Sequence, residues 1–326
     1  MKATAVAPSN IAFIKYWGKK VPYELNIPAN SSISMNLSNL LTTTTVEFNS
    51  NFSKDTVIIN EERIEGESNK VIRHLEKIRS LAKIKDKAKV VSKNNFPSGT
   101  GLSSSASGFA ALTLAGTKAA GLDLSEKELS IFSRQGSGSS CRSIPNGFAE
   151  WIDGKSNETS YAASIYPETY WDIVDVVAVV SRDKKHISST EGHKLASTSP
   201  FFETRLEKIS DKIKLIKKYM KEKDFEKFGE LIEQEALELH AIYLTSKPSL
   251  IYLLPASLFL IHMIKKWREN GLQVYFTLNT GQDVHLICQK KDAKKVSALA
   301  NNLKEVQKTI INEPSKGAHI SSDHLF

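Results

Sequence analysis

An α+β architecture is what this sequence predicts, on three observations. Strand-like and helix-like segments interleave along the chain without a regular βα repeat. Hydrophobic side chains make up 40% and charged ones 25%, the composition of an ordinary globular protein. The 326 residues exceed the roughly 250 that one core usually holds, so two domains are expected, 1–170 and 171–326.

Residues 3–14 alternate small and apolar side chains and read as a strand running into Lys15-Tyr16-Trp17-Gly18-Lys19. Residues 41–48 (LTTTTVEF) and 56–59 are β-branched, with Asn60-Glu61-Glu62 as a turn. Helical periodicity covers 69–83, and 88–92 reads as a strand. A helix of small residues spans 102–120 and stops at Gly121; another, at 124–133, opens at Asp123 or Ser125. The run 173–180 (IVDVVAVV) has the length and apolarity of a buried strand. Helices follow at 202–221, 224–245 and 255–269. Strands at 274–278 and 284–288 then flank Asn279-Thr280-Gly281-Gln282-Asp283, and a last helix at 292–306 precedes a polar tail.

The net charge of +8 invites a nucleic-acid reading, but the lysines of 212–227 alternate with Glu222, Asp224 and Glu226. Apolar Leu206, Ile209, Ile213, Ile216 and Met220 recur at helical spacing there, so the lysines read as a solvated helix face and no nucleic-acid partner is expected. The longest apolar run, 249–264, is interrupted by Pro255, Ser257 and His262 and falls short of the ~20 residues of a membrane span. The N-terminus carries no secretory pattern, and Cys141 and Cys288 cannot build a disulfide framework. A cytoplasmic protein without membrane partners is the expectation.

Chemistry concentrates where glycine and serine crowd. Pro97-Ser98-Gly99-Thr100-Gly101-Leu102-Ser103-Ser104-Ser105-Ala106-Ser107-Gly108 follows a strand and opens a helix. Glycines there let backbone approach an anion, while helix N-terminal amides and hydroxyls supply donors. A second cluster, Gly136-Ser137-Gly138-Ser139-Ser140-Cys141-Arg142-Ser143, sets one guanidinium among small hydroxyl residues, a carboxylate or phosphate grip. Cys141 reads as a small buried residue, not a nucleophile. Lys15 and Lys19 flank two aromatics at a strand end, where Lys15 can be desolvated and Lys19 can meet a phosphate. The stretch Lys185-His186-Ile187-Ser188-Ser189-Thr190-Glu191-Gly192-His193 offers further donors, and His240 reads as a satisfied core histidine.

In their order, these segments resemble the mevalonate diphosphate decarboxylase family of the GHMP kinase superfamily. The likeness lies in 7–19 (APSNIAFIKYWGK), in 97–108, in 136–143 with Gly147-Phe148-Ala149-Glu150-Trp151, and in Ile187-Ser188-Ser189-Thr190-Glu191-Gly192. It implies a GHMP-kinase-like fold, an N-terminal domain like ribosomal protein S5 domain 2 beside a ferredoxin-like C-terminal one, with the active site in the cleft between. It implies ATP-dependent decarboxylation of mevalonate 5-diphosphate to isopentenyl diphosphate by a homodimer, with ATP and Mg2+. Lys15 and Arg142 are then catalytic, Arg142 on the carboxylate and Lys15 near the 3-oxygen. Tyr16, Lys19, Ser137, Ser139 and Ser188 cradle the substrate. Pro97, Gly99, Gly101, Leu102, Ser103, Ser104, Ser105 and Ser107 take the ATP phosphates.

One departure matters. Anchored on Gly281, the family's catalytic aspartate falls at Asn279, whose amide accepts no proton and carries no charge. Four readings stay open: decarboxylation with Lys15 or a phosphate oxygen taking the proton; a 3-kinase that stops after phosphorylation; a decarboxylase of mevalonate 3,5-bisphosphate that needs no ATP; or an inactive binder. Asp283 substitutes only if 279–283 is a tight turn, since four extended residues span about 13 Å. Mevalonate 5-phosphate is a further candidate substrate, and the segment after Gly192, His193-Lys194, lacks an arginine that some members use near the phosphates.

Overall fold

The computed structural model describes residues 1–66, 70–96, 102–181, 183 and 188–326. The strands are β1 (Lys2–Ile14), β2 (Ser32–Asn49), β3 (Thr56–Ile59), β4 (Glu62–Arg63), β5 (Lys87–Asn94), β6 (Phe148–Trp151), β7 (Ala162–Tyr166), β8 (Ile173–Val179), β9 (Val274–Thr277), β10 (Val284–Gln289), β11 (Lys308–Asn312) and β12 (His319–Ser321). The helices are α1 (Lys70–Ala82), α2 (Ser104–Ala119), α3 (Glu126–Gly136), α4 (Ser189–Gly192), α5 (Phe202–Glu222), α6 (Phe225–Thr245), α7 (Pro255–Glu269) and α8 (Ala293–Asn301). The α+β expectation holds, and the strands form two sheets.

The larger sheet runs β12-β1-β2-β5-β3-β4, with β6 on the first half of β2 and β7 beyond it. Its centre is the long β1–β2 pair, whose register slips between Pro8 and Asn10 and again between Ala12 and Ile14. Such bulges re-aim side chains. The first lets Ser9 Oγ bond the Leu102 carbonyl at 2.7 Å and turns Asn10 toward Arg142. Helix α2 is buried almost all round because alanines face alanines: Ala5 and Ala7 of β1 lie in the same clusters as Ala110, Ala111 and Ala115. That close approach brings the α2 N-terminus to the mouth of the sheet. Helix α3 opens at Ser125, which shares a capping box with Glu128.

The smaller sheet, β11-β8-β10-β9, is antiparallel, and β8 is buried along its whole length. Helices α5 and α6 lie between the sheets. Ile209, Ile213, Ile216 and Met220 of α5 and Phe228 of α6 share one core with Ile11, Phe13, Ile33 and Met35 of β1 and β2. Phe13 meets Phe228 edge-on at 4.9 Å. This shared core carries the end of β1 up against α6.

Two expectations change, and the polar tail carries two strands unmarked in the sequence: β11 pairs with β8 and β12 with β1, as short edge strands with too few apolar residues to show a period. The last helix ends at Asn301, where Asn301-Asn302 favours leaving the helix, five residues before Val306. Lys212 is not solvated; it is buried against Glu235 and Glu238 of α6. No described helix is long and apolar enough to cross a membrane.

Candidate active site

The β1 end, the α2 N-terminus, the turn 138–143, helix α4 and the 279–280 turn converge on one cleft of about 640 Å³. Among the described residues its lining holds Lys15, Lys19, Lys70, Arg73, Lys77, Arg142 and Lys194 against a single acid, Glu24. So one-sided a lining suits a polyanion.

Arg142 sits at the base, 4% exposed. Its Nη1 donates to Ser32 Oγ at 2.7 Å, and Nη2 and Nε to Asn10 Oδ1 at 3.1 and 3.3 Å. Asn10 is held in turn, its Nδ2 donating to Ser143 Oγ at 2.8 Å. All these partners are neutral, so the fork is oriented while its charge is left for an anion. Cys141 is inert beside it, its thiol 3.1 Å from the Gly138 carbonyl and pushed by burial up to about 12.

Lys15 is 2% exposed, with Nζ 2.5 Å from the Ala12 carbonyl and 3.3 Å from Asn279 Oδ1. Burial lowers its pKa to about 7; Glu235 opposes that and Arg142 adds to it. The amine is therefore substantially neutral near pH 7 and able to accept a proton. Asn279 bridges onward, Nδ2 donating to Ser103 Oγ at 3.3 Å, while its carbonyl lies 3.2 Å from His240 Nε2. His240, held near pKa 4 by burial, is a buried support for this turn. Thr280 is tied to Ser189 at 2.6 Å. Asp283 is no substitute for the missing carboxylate: it is buried, its Oδ1 accepts the Val180 N–H at 3.0 Å, and it is absent from the cleft lining.

Tyr16 stacks on His193 at 4.3 Å and meets Trp151 edge-on at 4.6 Å; burial raises its pKa, so its hydroxyl stays a donor. Gly138 makes room for it, since a Cβ there would lie 2.4 Å from the Tyr16 hydroxyl. Lys19 bonds Asn26 at 2.6 Å, and burial together with Lys70 and Lys194 lowers its pKa to about 8. Cations that depress one another in this way are relieved by a bound phosphate.

Ser103, Ser104 and Ser105 line the cleft at the start of α2, and Ser105 meets Ser137 at 3.3 Å. Ser103 holds a left-handed φ of 58°, a conformation costing a serine about 1 kcal/mol and typical of functional turns. Ser139 lines the cleft; Ser188 is at its rim, exposed, its hydroxyl engaged with Glu191 in a capping box. Two expected contacts are not brought in. Leu102 is buried in the core, and Ser107 Oγ turns to Thr42 at 2.6 Å, away from the cleft, because it lies on the sheet-facing side of α2. Pro97, Gly99 and Gly101, like Lys185, His186 and Ile187, lie outside the described residues.

Several site residues carry no sequence expectation above. Lys70, Arg73 and Lys77 sit at i, i+3 and i+7 of α1, a spacing that puts three cations on one face. Ser32 had a signal too: residues 32–37 alternate Ser, Ile, Ser, Met, Asn, Leu, a strand pattern whose buried polar face carries Ser32.

A two-sheet fold with a cationic cleft at a hydroxyl-rich helix N-terminus is the arrangement expected of a GHMP-kinase-like protein. Residues 7–162 match the diphosphomevalonate decarboxylase-like N-terminal domain, and residues 175–323 the mevalonate 5-diphosphate decarboxylase C-terminal domain. The chain belongs to the diphosphomevalonate decarboxylase family. A diphosphomevalonate decarboxylase of Candida albicans is 36% identical over 315 residues, covering 91% of this chain and 87% of the relative. A human one is 34% identical, covering 85% and 74%. The mevalonate diphosphate decarboxylase structure from Staphylococcus aureus is 35% identical, with a TM-score of 0.92 and 98% of each chain covered. A structure described as MDDEF in complex with MVAPP, AMPPCP and magnesium also gives 0.92 at 35% identity, covering 98% and 99%.

Proposed function

We propose that this protein decarboxylates mevalonate 5-diphosphate to isopentenyl diphosphate in an ATP-dependent reaction. The observation that carries the reading is the pairing of a buried, neutrally partnered Arg142 with a desolvated Lys15 in a cleft otherwise lined by phosphate-suited cations. Arg142 grips the carboxylate. Tyr16, Lys19, Ser139 and Lys194 hold the 5-diphosphate, with Ser137 and Ser188 at the rim. The hydroxyls of Ser103, Ser104 and Ser105, with Lys70 and Lys77, suit nucleotide phosphates; among the described residues no cluster of three His, Cys, Asp or Glu forms a metal cage, so Mg2+ fits as a nucleotide-borne ion.

ATP supplies the phosphoryl group that turns a tertiary hydroxyl into a leaving group. Lys15 takes the 3-hydroxyl proton on Nζ and, once charged, faces the oxygen that must depart. When the C3–O3 bond breaks, its electrons leave with phosphate. The C1–C2 pair then closes the C2–C3 double bond as carbon dioxide is lost, a geometry that Arg142 fixes by orienting the carboxylate. A homodimeric, cytoplasmic enzyme is the setting we assign to it.

Asn279 favours a second reading, in which the substrate arrives already phosphorylated at the 3-oxygen and no proton need be removed. Incubation with ATP and mevalonate 5-diphosphate, following ADP and carbon dioxide separately, decides between them. Equal release of both is expected. ADP alone marks a 3-kinase, and carbon dioxide from mevalonate 3,5-bisphosphate without ATP selects the second reading. Mevalonate 5-phosphate in parallel defines the tail, and saturable ATP binding without any product marks a non-catalytic nucleotide binder.

A further inference from the structure

Lys15 is held from behind by groups outside the cleft lining. Glu235 of α6 accepts the Lys15 backbone N–H on Oε1 at 3.0 Å. Arg205 of α5 donates from Nη2 to the Lys15 carbonyl at 2.7 Å and also to Glu235 Oε1, and from Nη1 to Asn30 Oδ1 at 3.2 Å. Asn30 Nδ2 reaches the same carbonyl at 2.8 Å, and Lys212 donates to Glu235 Oε2 at 2.9 Å. Glu235 is fully buried and Arg205 is 4% exposed. Both polar groups of residue 15 are thus gripped by an ion pair lying 190 and 220 residues away in sequence. Stability alone explains this poorly. A neutral side chain satisfies one N–H or one carbonyl at far lower desolvation cost, and buried ion pairs are weak stabilisers compared with apolar packing.

We propose that the Glu235–Arg205 pair is a positioning device for Lys15: it fixes the peptide from which the amine reaches Asn279, and Glu235 supplies the negative charge that the 279 turn lacks. This rests on the function proposed above only for its kinetic arm. The charged groups facing Lys15 come from four elements. Glu235 of α6 and Asp175 of β8 strengthen its hold on a proton, while Arg142 of the 138–143 turn and Arg205 of α5 weaken it. His240, also on α6 and near pKa 4, is neutral through the working range. Lys212 is paired to Glu235.

Two variants separate charge from geometry. Glu235→Gln keeps an acceptor for the Lys15 N–H and removes the charge. Arg205→Lys keeps a charge and loses the two-pronged grip. The readouts are the Cε resonance of Lys15 in 13C-lysine-labelled protein, assigned with Lys15→Arg and titrated with pH, and kcat and KM across the same range. In Glu235→Gln the midpoint is expected to fall by about one pH unit, the effect of removing one nearby opposite charge. The acid limb of kcat follows it downward, because the amine must be neutral to accept a proton, and KM for ATP stays within about twofold. In Arg205→Lys the midpoint moves little while kcat falls about tenfold or more, a geometric loss. A Glu235→Gln midpoint equal to the native one, or an acid limb that does not move with it, overturns the proposal, as does Arg205→Lys with native kcat. Should Glu235→Gln fail to fold, the double variant with Lys212→Met, which removes one stranded cation, carries the same titration. If the native protein turns over no substrate, the proposed function fails, and the midpoint shift still decides this inference.

Discussion

Arg142→Lys is expected to cut carbon dioxide release from mevalonate 5-diphosphate by about 10²–10³-fold, the usual effect of removing one preorganised charge-stabilising donor. Lysine keeps the charge, so the loss measures the fork. The guanidinium spends Nη1 on Ser32 and Nε and Nη2 on Asn10. An ammonium cannot hold both partners and a carboxylate in one plane. Steady-state release of carbon dioxide, beside a thermal melt showing the variant folded, checks this. A variant within about threefold of native kcat/KM would remove Arg142 from the chemistry.

Asn279→Asp is expected to act in the opposite direction, raising ATP-dependent carbon dioxide release by roughly 10²-fold, the lower end of what a positioned general base contributes. The position is right for it: Asn279 Oδ1 already lies 3.3 Å from Lys15 Nζ. A carboxylate there would also change which group titrates. Beside a negative charge Lys15 would hold its proton well above about 7, and the acid limb would pass to the aspartate and move to lower pH. Rates at pH 5 to 9 with saturating ATP check both effects. An unchanged rate and limb would mean that residue 279 does not touch the reacting proton.

How much of this was legible in the sequence depends on how far apart the cooperating residues lie. Lys15, Tyr16 and Lys19 stand out because cations beside aromatics at a strand end are unusual, and Arg142 because it is the lone cation in a hydroxyl-rich turn. Most of the groups that hold them were not legible. Asn10 reaches Arg142 across 132 residues and Glu235 reaches Lys15 across 220, and local spacing carries no record of either. Serine count misled at Ser107, which lies a turn further along α2 than the cleft serines, where its hydroxyl is taken by Thr42 of β2 and the Ser104 carbonyl. Strands and helices with strong periods, such as β8 and α5, were readable; β11 and β12, five and three residues long, are strands through their pairing with β8 and β1, which lie far back in the chain.

The central claim is that one cleft grips a diphosphate and a carboxylate at once. Calorimetric titration of the native protein with mevalonate 5-diphosphate and with isopentenyl diphosphate, which lacks the carboxylate, tests it most directly. Binding tighter by about tenfold for the carboxylated ligand is predicted, the worth of one charge-assisted grip of about 1.4 kcal/mol, and that preference should shrink in Arg142→Lys. Equal affinity for the two ligands, or a preference that survives the substitution, would contradict it.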